Sequence, residues 1–243
     1  MLKIFKILIV LAVIILAFFV FFSQREGEVS VTETGEGAEQ TTLSITTLSF
    51  NEENFSGQRP QIVGKSILAD AGRDYIDKRI AEFKRTADLE VPGLREKFGA
   101  DNATFDYSIE IDARTEESES TKSLILSEYA YTGGASGNQS YRTFTALSAE
   151  NKIIPLSHLV PADKQTPFTA LVKEKLLAWR PEGNPEPVVF EDEVNALTFA
   201  SFTNWSLTDE NLTIYFDKYA IGPGSLGAVA WAMPVSEAKE FLH

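Results

Sequence analysis

Residues Ile7 to Phe22 read ILIVLAVIILAFFVFF, an unbroken apolar run of 16 residues, and Leu2, Ile4 and Phe5 extend it. At ~1.5 Å per residue a helix from Leu2 to Phe22 is roughly 30 Å long, the thickness of a hydrocarbon core. Lys3 and Lys6 sit among the first apolar residues, where their stems can snorkel toward headgroups. Ser23, Gln24, Arg25 and Glu26 follow the run, with further acids beyond. Positive charge before a span and acid after it predict a single-pass anchor over 1–23, N-terminus cytoplasmic, body extracytoplasmic. The competing reading is a cleaved secretory signal. Against it, the run exceeds the usual ~7–15 residues and no small-x-small site follows Phe22.

The export reading fits the composition. The chain has 243 residues and no Cys, which excludes disulfides, thiolate catalysis, Cys-ligated zinc and iron–sulfur clusters. Its two His, His158 and His243, are too few for a multi-histidine metal site. No cofactor is expected. Lys and Arg number 22 against 35 Asp and Glu; setting aside Lys3 and Lys6 leaves the body at a net charge of −15. A body that acidic repels nucleic acid, whose binding needs Lys and Arg to replace counterions. It attracts basic partners.

Residues 24–45 are rich in Gly, Glu, Thr and Ser and predict a flexible stalk. Folded structure is expected from about Leu48. Ile67, Leu68, Ala71, Tyr75, Ile76, Ile80 and Phe83 fall at helical spacing, and the helix is expected to end before Pro92-Gly93. Phe105, Tyr107, Ile109 and Ile111 alternate with Asp106, Ser108, Glu110 and Asp112, a strand with one wet face. Strands are expected over 123–131 and 141–147, around the glycine segment 132–138. A second helix is expected from Pro167 to Arg180, with Thr166 as N-cap. Strands follow at 202–207, 212–216 and 228–233, then a short helix over 236–242. Short turns and an excess of strands predict an α+β body with mainly antiparallel sheet and packed helices. Its modules are read as 46–128 and 129–243.

Three separated segments carry a family resemblance. They are Tyr131-Thr-Gly-Gly-Ala-Ser-Gly-Asn138, Ile154-Pro-Leu-Ser-His-Leu-Val160, and the pair Phe202-Thr-Asn-Trp205 and Leu212-Thr-Ile-Tyr-Phe-Asp-Lys-Tyr-Ala-Ile-Gly-Pro-Gly224. Together they resemble the C-terminal ectodomain of RsiV-type lysozyme-sensing anti-sigma factors and PdaC-type membrane-anchored peptidoglycan deacetylases. Arg59-Pro-Gln-Ile-Val-Gly64 resembles the smaller domain that precedes it there. Relatives commonly carry His where Ser136 stands, so any role of that imidazole is absent here. At most about six residues precede the apolar run and the chain ends at His243, so neither an anti-sigma nor a deacetylase domain is expected. The resemblance implies a cell-envelope binding or sensing domain whose partner is a lysozyme-like protein or peptidoglycan fragments.

The candidate contact residues lie in irregular segments, which commonly carry recognition on a rigid sheet. They are Gly133, Gly134, Ser136 and Asn138 of the glycine segment, Glu191, Asp192 and Glu193, and Asp217 with Tyr219. Each has a plainer reading: glycines for a tight turn, acids favouring a helix N-terminus, Asp217 capping a turn. Asp106, Glu110 and Asp112 lack the loop spacing of a calcium site. No Gly-x-Ser-x-Gly elbow accompanies His158. No catalytic constellation emerges, and a non-enzymatic role is expected. The rival is a wall hydrolase using Asp217 with Glu191 or Glu193, since paired acids hydrolyse glycosides.

Overall fold

The computed structural model describes residues 29–30, 43–99, 106–183 and 186–243. The chain divides into units 1–30 and 31–243. In the first, β1 (Val29–Ser30) is the described element. The anchor expected over 1–23 and nearly all of the stalk lie outside the described residues. Among the described residues no helix is long and apolar enough to cross a membrane.

The body from residue 43 is an α+β structure built on one long sheet. β2 (Ser44–Asn51) and β3 (Phe55–Val63) form an antiparallel hairpin. The hairpin was missed because its apolar positions do not alternate regularly: Ile45 and Phe50, of opposite parity, both pack against the same cluster. β2 thus begins at Ser44, inside the segment read as stalk and ahead of the expected Leu48. α1 (Ile67–Phe98) crosses from β3 to β4 (Tyr107–Glu117), which runs parallel to β3. β5 (Thr121–Tyr131), β6 (Asn138–Leu147) and β7 (Lys152–Ile153) complete an antiparallel meander. The module boundary read at 128/129 falls within β5.

α1 covers one face of this sheet. Ser66 caps it, its Oγ accepting from Ala69 N–H at 3.2 Å, one of the donors a helix start leaves unpaired. Ile76, Phe83 and Val91 of α1 pack on Ile62, Tyr107, Ile109, Ile111, Leu124 and Leu126. Arg79 reaches the nearly buried Glu128 of β5 with two 2.9 Å bonds from Nε and one of 2.6 Å from Nη2. The helix does not stop before Pro92 but continues to Phe98. Val91 is fully buried, Leu94 packs on the same cluster, and Arg95 donates to Glu53 O at 3.2 Å. Those contacts outweigh a Pro-Gly pair that favours breaking on local grounds.

Among the described residues the opposite face of the sheet is covered only in part. α2 (Gln165–Ala178), α3 (Glu191–Ala196), a three-stranded antiparallel sheet and α4 (Val235–Ala238) build a second core there. The small sheet has the order β10-β9-β8, from β8 (Trp205–Leu207), β9 (Asn211–Phe216) and β10 (Val229–Pro234). Phe168 is its hub, edge-to-face with Phe199, Phe202 and Phe241 at 5.9–6.1 Å. α2 starts at Gln165 rather than Pro167, and Lys164, not Thr166, occupies the cap, without a side-chain bond. Pro167 is still in the first turn, where its missing N–H costs nothing. The strand expected from Phe202 begins at Trp205, because residues 199–201 close a short 3-10 turn held by Thr198 and Ser201. The terminal helix is one turn, 235–238, rather than 236–242.

Candidate functional site

Edge strands expose unpaired backbone groups, and β6 beyond its short pairing with β7 would be such an edge. Here it is closed without another strand. Thr143 N–H donates to Asn204 Oδ1 at 3.1 Å, and Asn204 Nδ2 donates to Tyr141 O at 3.0 Å. One amide side chain thus presents the acceptor and donor that a neighbouring peptide would. Further along, Tyr141 N–H donates to Asp217 Oδ1 at 2.8 Å and Lys218 N–H to Gln139 O at 2.9 Å. Asp217 therefore clasps the strand edge, rather than capping the turn after its own strand.

The clasp also holds the glycine segment. Lys218 Nζ donates to Ser136 Oγ at 2.9 Å and to Gly137 O at 2.7 Å. Two tyrosines of β5 grip the same loop from below. Gly137 N–H donates to Tyr129 Oη at 3.1 Å, and Tyr131 Oη donates to Gly134 O at 3.0 Å. Gly133 and Gly134 have φ of 90° and 96°, left-handed values that glycine tolerates. A Cβ at Gly137 would meet the Tyr129 ring at 2.5 Å. The loop is thus a preformed feature, with Asn138 exposed at the start of β6.

Tyr219 follows the clasp with a φ of 72°, a strained conformation for a side-chain-bearing residue. The residue is 61% exposed, and its ring lies against the bare Gly224 with Lys218 Nζ 5.2 Å from its centroid. Phe190 N–H donates to Ile221 O at 2.9 Å, which brings segment 188–193 beside segment 219–222. Phe190 is 49% exposed, and with Val189, Glu191, Asp192 and Glu193 it lines an open cleft. The acids occupy the first turn of α3, where they complement the helix dipole. The glycine loop and Tyr219 therefore meet at the clasp, and 189–193 adjoins the segment that follows it. Asp217 is drawn into the β6 edge.

Other groups expected from the sequence lie elsewhere. His158 is exposed on a 3-10 turn, 156–158. Glu110 and Asp112 lie exposed on β4, on the sheet face away from α1. Partial burial, and then the Asp112 carboxylate, push the Glu110 carboxyl above the usual range. Among the described residues no three acidic or imidazole groups converge to hold a metal. Sequence reasoning missed Asn204, Lys218 and Gly224, and the tyrosine grip. Their shared signal was weak: Asn204 and Lys218 lie inside the motifs of the resemblance, with no chemistry of their own to mark them.

Comparison with known proteins matches this half of the fold to the family described as "Protein of unknown function (DUF3298)" over residues 158–236. The matched span includes the 189–193 cleft, the clasp and Tyr219, while the glycine loop precedes it. The chain is 22% identical over 173 residues to the peptidoglycan-N-acetylmuramic acid deacetylase PdaC of Bacillus subtilis, covering 69% of this chain. It spans about a third (34%) of the length of that relative. Two solved structures of DUF3298 proteins share the fold. One, from Bacteroides fragilis, has a TM-score of 0.58 at 17% identity, covering 84% of this chain and 94% of its own. The other, from Pseudomonas aeruginosa, has a TM-score of 0.53 at 16% identity, covering 86% and 96%.

Proposed function

We propose that this chain is a membrane-anchored, extracytoplasmic binding domain that engages a basic wall-active protein of the lysozyme kind through the clasped rim. The observation that carries the reading is the convergence just described. Lys218 ties the preformed glycine loop to the segment bearing Tyr219, and Phe190 lies on the neighbouring 188–193 segment beside three acids. Exposed aromatic anchors held on a rigid support lose little entropy on binding. Glu191, Asp192 and Glu193 add to a body already at −15, which suits a cationic partner. The likeness to a peptidoglycan deacetylase supports a place at the cell wall. The lysine pair ahead of the apolar run supports the outward orientation.

The test uses the full chain in detergent and a basic lysozyme as probe. The on-rate is expected to fall as the Debye length shrinks from ~10 Å at 0.1 M salt towards ~3 Å at 1 M. Neutralising Glu191, Asp192 and Glu193 stepwise should lower it further, with little change in off-rate. Absence of binding at low salt removes this partner and leaves peptidoglycan fragments as the ligand to test. The hydrolase alternative asks Asp217 to act as an acid or base, yet one of its oxygens already accepts from Tyr141 N–H. A wall-digest assay should show no turnover; turnover abolished by Asp217→Asn would overturn the binding reading.

A further inference from the structure

Among the described residues, the face of the long sheet that α1 does not cover is itself only half used. The second core rests on it at one end, where Arg114 stacks over Tyr215, Ser206 Oγ donates to Glu116 at 2.6 Å and Thr145 Oγ1 donates to Trp205 O at 2.9 Å. The other end is open among the described residues. The register lines up Ser49, Gln58, Glu110 and Tyr129 across four adjacent strands, with Ser108 and Tyr131 paired in the neighbouring row. Ser49, Gln58 and Glu110 are exposed, and Ser108, Tyr129 and Tyr131 half-buried. At ~4.8 Å between strands the first row spans about 14 Å before it reaches the glycine loop.

The chemistry of this floor is selective. Its six side chains comprise two hydroxyls, an amide, a carboxyl and two phenol rings, with no aliphatic group and no cation. Protein hot spots sit in enclosed, fully desolvated pockets, whereas the two tyrosines here stand at the end of an open polar row with their hydroxyls already bonded to the glycine loop. An anionic polymer would meet the Glu110 carboxylate with no Lys or Arg among the six side chains to offset it, since Lys218 stands only at the far end, tied to the glycine loop. A sugar chain fits on both counts. Its hydroxyls exchange donors and acceptors with Ser, Gln and Glu side chains, and its C–H faces stack on aromatic rings. Both rings are fixed in advance, because the Tyr129 and Tyr131 hydroxyls are engaged by the glycine loop at 3.1 and 3.0 Å. Pre-fixed rings reduce the ordering cost of binding.

We infer that this open half-face is a binding platform for an uncharged or cationic polysaccharide strand, lying across β2 to β5 and ending at the glycine loop. It shares the glycine loop with the clasped rim but none of the acids at 191–193, and does not depend on the partner taken there.

The experiment measures binding of the full chain in detergent to three probes: an N-acetylglucosamine hexamer, a glucosamine hexamer and polygalacturonate. Saturable binding of the first two and none of the third is expected. Loss of one hydrogen bond of about 1 kcal/mol corresponds to roughly fivefold in affinity. Gln58→Ala should therefore weaken the hexamers about fivefold without touching the loop, and Tyr131→Ala should weaken them further. Glu191→Ala should leave them unchanged, which separates this site from the rim. No hexamer binding at millimolar concentration overturns the inference. So does hexamer binding that survives Gln58→Ala and Tyr131→Ala together with an unchanged fold, or polygalacturonate bound as tightly as the hexamers.

Discussion

Two glycines illustrate how similar residues serve different ends. A Cβ at Gly57 would lie 1.9 Å from the Ile109 carbonyl oxygen, which is backbone and cannot swing aside. Gly57→Ala must push β3 from β4, and we expect a loss of about 3 kcal/mol or more in denaturant unfolding. A Cβ at Gly224 would instead meet the far end of the Tyr219 ring at 2.4 Å, an exposed group that can rotate. Gly224→Ala should change stability by less than about 1 kcal/mol while displacing the ring, so that rim binding falls in the same assay. Asn204 is the third telling residue. Asn204→Ala strips both bonds from the edge of β6 and leaves Tyr141 O and Thr143 N–H without them. A cost of about 1–3 kcal/mol is expected, seen as a lower urea midpoint with an unchanged slope. Asp217→Asn keeps an acceptor for Tyr141 N–H and should cost less than Asp217→Ala.

At the level of elements, α1 contains its own weak point. Pro92 and Gly93 sit inside the helix, both exposed, and a Cβ at Gly93 meets nothing within 4 Å. Proline removes the donor for the carbonyl four residues earlier, and glycine carries extra unfolded-state entropy. Pro92→Ala should stabilise the protein by about 1–3 kcal/mol and Gly93→Ala by about 1 kcal/mol, read as a raised thermal midpoint. A fall in midpoint for both would show that the pair relieves a strain where α1 meets Glu53 and Asn54. The periodicity of α1 and β4 was legible because each buries one face. β2 and β3 were not, since Ile45 and Phe50 pack on the same core from positions of opposite parity.

For the molecule as a whole, the two cores are joined by a polar seam whose titration sets an upper pH limit. Tyr215 Oη lies 2.9 Å from Ser206 Oγ, 3.3 Å from Glu116 and 3.1 Å from Arg114 Nη2. Burial foremost, opposed by the Ser206 bond and Arg114 and reinforced by Glu116, pushes its phenol up to about 12. Tyr107, buried and donating to Glu90 at 2.7 Å, is likewise pushed up to about 12. The native state therefore holds protons that the unfolded chain releases near pH 10. This stability is fully present below pH 10 and is lost as pH rises from about 10 to 12. Urea midpoints should be flat from pH 8 to 9.5 and fall steeply above 10. Tyr215→Phe should reduce that slope, and an unchanged slope would remove Tyr215 as its source.

Local chemistry alone determined the α+β class, the period-two strand over 107–112, the long helix after Ser66 and the acidity of the body. Each is a property of a short window or a sum over residues, and burial of one face imprints it on the order of residues. The motifs Tyr131–Asn138, Phe202–Trp205 and Leu212–Gly224 likewise marked segments that the fold brings together, whereas Ile154–Val160 lies elsewhere. What only the tertiary structure decided was the work each residue does there. Asp217 looked like a turn cap or an acid because its own neighbours say no more than that. Its partner, Tyr141, is on another strand and 76 residues away. Asn204 could not be read at all, since an amide imitates a strand only where a strand edge has been left open beside it. Such roles depend on pairs distant in sequence, and no local pattern records them.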